Sequence, residues 1–130
     1  MSQTTTQVLL PQTTWQGNVY ANLQVYDVVG EKKPAAAYYL GNRDLQTVNV
    51  NLAGVTGNIF IQASLATAPN EIDWFNVHEI EANAADPANS IGNLNAYTNS
   101  AVNIEGNYVW MRAFVQDFSG GVIQFIKLSY

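Results

Sequence analysis

Ten carboxylates, one histidine and no cysteine set what this sequence offers as reactive chemistry. His78 has no partner at metal-ligand spacing and no second histidine exists, so neither a His-based zinc site nor a recognisable catalytic triad is present. It is read as a histidine on a half-exposed strand. Without cysteine there are no disulfides, no thiolate chemistry and no Cys–zinc sites. The carboxylates form two close pairs, Glu71 with Asp73 and Glu79 with Glu81. Glycoside hydrolysis needs two carboxyls facing each other across a cleft, one of them held at raised pKa by burial. Residues at i and i+2 share one strand face instead, which reads as a solvated edge. Glu71, Asp73, Asp44 and Asp86 do not follow the spacing of a calcium loop. Asp117-Phe118-Ser119-Gly120 contains the letters of a kinase motif, but none of the accompanying kinase motifs is present. The expectation is a protein that is not an enzyme, with no catalytic residues, no metal and no cofactor.

The elements carrying these residues read as strands throughout. Gly106 to Tyr130 predicts two long strands joined by a tight turn at Asp117 to Gly121, a hairpin to which the rest of the chain adds. In its first strand Val109, Met111, Ala113 and Val115 form a core row, while Tyr108, Trp110, Arg112, Phe114 and Gln116 face the other way. Leu45 to Leu52 alternates cleanly, with Val48, Val50 and Leu52 against Thr47, Asn49 and Asn51. Ile59 to Leu65 returns the chain, as a hairpin or as a crossing between sheets. A strand is also expected over Val19 to Tyr26, another over Asp73 to about Glu81 and a weaker one over Leu94 to Ile104, with a loop at Ala82 to Asn93. No segment has the repeat of an amphipathic helix. About seven or eight strands with regular turn signals predict an all-β fold, a single antiparallel β-sandwich of jelly-roll or Ig-like type. Residues 1–12 are read as an N-terminal arm that ends in a short strand at Val8 to Leu10, and 13–130 as the sandwich. Val50, Ile59, Ile61, Phe75, Met111, Ala113 and Val115 are the expected core.

With 130 residues, 48% of them hydrophobic, the chain has material for one domain and one core. Charged residues make up only 12%, about half the usual share, and Asn, Gln, Thr and Ser supply the polarity instead. Such a surface suits contact with other protein, and equally an all-β domain with amide-rich loops. A net charge of −5 with five basic residues argues against a nucleic-acid partner. No apolar run approaches the roughly 18 residues of a membrane span, and the N-terminus lacks the pattern of a signal peptide. The expectation is a protein without membrane or nucleic-acid partners, made in the cytoplasm. Trp15, Tyr20, Tyr26, Tyr38, Tyr39, Trp74, Tyr97 and Trp110 are read either as core and interface residues or as platforms for stacking sugar rings.

Three blocks together carry a resemblance. They are Tyr38 to Gly41 with Asp44 to Thr47, Gly57 to Leu65 followed by Asp73-Trp74-Phe75, and Gly106 to Ala113 followed by Phe118 to Gly121. Over roughly Ala36 to Tyr130 the chain resembles small β-sandwich virion structural proteins of tailed bacteriophages, of the T4-like cyanophage type. The resemblance implies a non-enzymatic, multi-copy virion protein made in the host cytoplasm. It would be a capsid decoration or a neck or tail accessory, with other virion proteins as partners. The alternative is a glycan-binding sandwich on a tail fibre. Trp110 and Phe114, large and apolar on a face opposite a complete core row, imply a second cover from loops or from another protein. With the apolar group Val8, Leu9 and Leu10 they are the candidate protein contacts, in a homo-oligomer whose favoured form is a trimer.

Overall fold

In β5 (Leu45–Ala53) Val48, Val50 and Leu52 are buried while Thr47, Asn49 and Asn51 stay half-exposed, the alternation that the sequence predicts. β6 (Thr56–Ser64) repeats it with Ile59, Ile61 and Ala63. The structure is a computed structural model that describes residues 5–15, 26–37, 45–82 and 97–130. The other strands are β1 (Thr6–Leu10), β2 (Thr13–Thr14), β3 (Tyr26–Val29), β4 (Lys33–Pro34), β7 (Phe75–Ala82), β8 (Tyr97–Glu105), β9 (Trp110–Ser119) and β10 (Val122–Ser129). Among the described residues the only helical element is a 3₁₀ turn at Glu71–Asp73. The expected strand over Val19 to Tyr26 up to its last residue and the loop of Ala82 to Asn93 beyond its first residue lie outside the described residues.

The strands pair as nested brackets. β1 pairs with β10, β3 with β9, β5 with β8 and β6 with β7, all antiparallel. Successive brackets fall alternately into two sheets, ordered β1-β10-β5-β8 (sheet A) and β3-β9-β6-β7 (sheet B), with β2 and β4 as short additions. A long hairpin folded over on itself in this way is the jelly roll, and of the two expected sandwich types the Ig-like one is set aside.

One expectation fails here. β9 and β10 are not a hairpin, because β9 lies in sheet B and β10 in sheet A. The chain crosses between sheets at Gly120 and Gly121, beside the parallel crossing of β5 into β6 at Gly54. Gly121 has φ 71°, and a Cβ there would run into the backbone of Ala53 and Gly54, so the two crossings stack only because it is glycine. The turn residues fit a hairpin and a crossing equally. What separates them is the pairing of β9 with β6 and of β10 with β5.

A bulge sets the second departure. β9 has one residue more than each neighbour around Gln116 and Asp117, where Asp117 takes φ 57° and its N–H donates to Asp27 Oδ1 at 3.0 Å. The extra residue reverses the alternation. Phe118, which simple alternation places outside with Phe114 and Gln116, is fully buried, edge-on to Tyr26 at 5.6 Å. Of the expected core, Val50, Ile59, Ile61, Met111, Ala113 and Val115 are buried, but Phe75 is 39% exposed. It opens the edge strand β7 at the end of the sandwich and meets Tyr108 edge-on at 5.8 Å. Gln46 is the unexpected interior residue. Its Oε1 accepts the Ala36 N–H at 3.1 Å, and its Nε2 donates to the carbonyls of Ile104 and Gly106 at 2.9 and 3.3 Å, which satisfies the buried amide.

The segment expected to be an arm contributes an integral strand. Thr6 to Leu10 runs along β10, and Leu9 and Leu10 are buried in the same core as Val48 and Ile126. The chain end is held too. Ile126 and Leu128 are buried, Tyr130 exchanges backbone hydrogen bonds with Thr5 at 2.8 and 2.9 Å, and its hydroxyl donates to the Pro34 carbonyl at 2.9 Å.

Candidate interaction surface on the outer face of sheet B

Alternation in β9 and β6 turns Trp110, Arg112 and Phe114 outward beside Ser64, Gln62 and Phe60, each opposite its partner in register. Part of this face is covered by the chain itself. The connection from β6 to β7, residues Leu65 to Trp74, folds back as a clasp. Its first turn is held by Ser64, whose Oγ accepts the Ala66 N–H at 3.1 Å. The indole N–H of Trp110 donates to the Thr67 carbonyl at 2.9 Å. In the 3₁₀ turn the Asn70 N–H donates to Asp73 Oδ2 at 2.7 Å, and the Asp73 N–H to the Asn70 carbonyl at 3.0 Å.

Arg112 locks the clasp to the sheet. Its Nε donates to Gln62 Oε1 at 2.7 Å, its two terminal nitrogens reach Glu71 at 3.2 and 3.4 Å, and its guanidinium lies 4.4 Å from the Trp74 ring centre. The Arg112 side chain is only 11% exposed whereas that of Glu71 is 85% exposed, so the pair is half solvated. Its value lies more in the forked geometry than in Coulomb energy. Lys32 Nζ, next to β4, sits 4.8 Å from the Trp110 ring centre. Each of the two tryptophans on this face therefore already has a cation over its ring.

Beyond the clasp a single register row crosses all four main strands of sheet B. Val29 on β3 faces Phe114, Phe114 faces Phe60, and Phe60 faces Glu79 on β7. The two phenylalanines are half-buried and stacked, with centroids 6.2 Å apart and planes at 22°. Val29 is exposed. Glu79 and Glu81 are exposed on the edge strand, as a solvated pair should be, whereas Glu71 and Asp73 belong to the 3₁₀ turn and not to a strand.

The expected contact residues thus separate. Leu9 and Leu10 belong to the interior and leave Val8 alone exposed in that group, so the three do not make one contact patch. The side chains at 8 and 10 lie on opposite faces of β1 because the strand has a register shift between them. Trp110 is covered by its own clasp, so of the two covers that the sequence leaves open it has the loop, and Phe114 remains in the open row. Phe60 and Arg112 went unassigned as functional residues. The signal for Phe60 was the unbroken apolar run Ile59-Phe60-Ile61, apolar on both faces of one strand. Among the described residues no three His, Cys, Asp or Glu side chains gather where they could hold a metal ion, and no helix is long and apolar enough to cross a membrane. No protein-family model matches the chain, and no curated protein matches it.

Proposed function

We propose that this chain is a non-enzymatic structural protein of a tailed-bacteriophage virion, present in many copies as a capsid decoration or as a neck or tail accessory. On this reading it is made in the host cytoplasm and works in the virion. Its partners are other virion proteins and further copies of itself, a trimer being the favoured form.

The observation that carries the reading is the row Val29–Phe114–Phe60, apolar and in register on an outward sheet face, beside a region that the chain has covered with its own clasp. Apolar side chains aligned on an outer face gain free energy when another protein excludes water from them. The low share of charged residues and the resemblance across Ala36 to Tyr130 point the same way. The jelly roll itself does not choose, since viral capsid and lectin domains both use it.

An antibody against the purified chain, applied to intact particles of the phage whose genome encodes it, should label a fixed position on every particle. Unlabelled particles, with the protein confined to the soluble lysate, would refute the proposal. Light scattering supplies the second arm. Wild type should be oligomeric, and a Val29→Lys, Phe114→Lys double variant monomeric with its β-sheet circular dichroism unchanged.

A further inference from the structure

Six large apolar side chains among the described residues are exposed, and three of them, Leu65, Ile72 and Phe75, fall within the clasp or at its junction with β7. Scattered singly, such residues need no explanation. Ile72 is of another kind, because it is 92% exposed while its supports are fixed on every side. Asn70 and Asp73 close the 3₁₀ turn below it, Arg112 grips Glu71 immediately before it, and Trp110 holds Thr67 further back. A branched apolar side chain is thus presented to solvent from a loop that has already lost its freedom, so binding through it costs little further ordering.

We infer that Ile72 at the clasp tip is a preformed docking knob that seats in an apolar pocket with a basic rim on another virion protein. This rests on the virion reading above and names one of its contacts. Two acids flank the knob: Glu71, 85% exposed at its side chain even while it holds Arg112, and Asp73, half-buried with its Oδ2 accepting the Asn70 N–H. Charge complementarity therefore asks for Lys or Arg around the pocket. Among the described residues a second copy of this chain supplies none that is not already engaged. Each of the four described basic side chains is engaged within its own chain, Lys33 with Glu31, Arg112 with Glu71, Lys32 over Trp110 and Lys127 over Phe125. A two-fold contact through the tip would also set carboxylate against carboxylate.

The test uses particles from a phage deleted for this gene, to which purified full-length protein is added and bound copies per particle are measured. Wild type should bind saturably, with affinity falling as salt rises. Ile72→Asp should lose about tenfold or more in affinity, and Ile72→Leu should bind nearly as wild type. Ile72→Asp must melt with wild type, as a side chain this exposed permits. If wild type does not bind depleted particles, the virion reading itself fails. Wild-type binding matched by Ile72→Asp overturns the knob and leaves that reading standing. Should Ile72→Asp instead convert a wild-type oligomer to monomers in light scattering, the occupant is a second copy and the inference as stated is wrong.

Discussion

The two outer faces of the sandwich are built on the same alternation and end in opposite states. On sheet A, β5 turns out Thr47, Asn49 and Asn51, opposite Ser129, Lys127 and Phe125 of β10. Thr47 donates to Asn103 on β8 at 2.7 Å, and the aromatic Phe125 has Lys127 of its own strand 4.3 Å above its ring. Small amides and hydroxyls suit water, and the connection that follows β5 is the short crossing at Gly54. On sheet B the outward residues are Trp110, Arg112, Phe114 and Phe60, and the connection that follows β6 is long enough to fold back over part of them. The difference lies in side-chain bulk, not in strand geometry. A sheet whose outer row is apolar needs a second layer, and here the chain supplies it for Trp110 and Arg112 and leaves the row from Val29 to Phe60.

Three substitutions probe that contrast. Ile61→Ala strikes the interior between the two sheets and sets the scale, with an expected loss of about 2–5 kcal/mol in urea unfolding. Trp110→Ala removes the indole that the clasp packs on and its hydrogen bond to Thr67, and should cost about 2–3 kcal/mol. It should also open Leu65 to Trp74 to limited proteolysis while the strands stay protected. A loss no greater than at an ordinary surface position would mean that the clasp does not depend on the sheet. Asn51→Thr is the mild counterpart on sheet A. Its Oδ1 is buried with no hydrogen-bond partner in the protein, so a β-branched replacement should raise stability by about 0.5 kcal/mol. A clear destabilisation there would show that the amide row is as specific as the aromatic one.

What the sequence made legible follows the same division. Where alternation runs unbroken, as in Val48, Val50 and Leu52 or Met111, Ala113 and Val115, each side chain lies where the pattern puts it. Where an extra residue enters a strand, the pattern misleads. Phe118 moved inside through the bulge at Asp117, and in β7 a register shift opposite Ile61 and Gln62 lets both Val77 and Ile80 pack against the core. A bulge leaves no mark in hydrophobicity, because its cause is the fit of three strands at once. The clasp was hidden for a related reason. Arg112 and Glu71 are far apart in the chain, and their pairing is fixed only by the register of β9 on β6. The arm was misplaced because Val8-Leu9-Leu10 before a proline reads the same whether its pocket is in this chain or in another.

The nested pairing also favours, on entropic grounds, one order of events during folding. Thr6 and Ser129 are neighbours although 123 positions separate them. Closing that span directly from a disordered chain is entropically the most expensive step available. Once β6 and β7 have paired, β5 and β8 are held close. Their pairing in turn shortens the remaining search for β3 with β9, and then for β1 with β10. The fold is therefore expected to close from its middle outward, in the manner of a zip, and slowly for so many long-range pairings. On the ribosome β10 is the last of these strands to be made, so both members of the last bracket are not available until it has emerged. Until then β5 exposes the edge that β10 will cover, and in that interval the chain most needs protection from its neighbours.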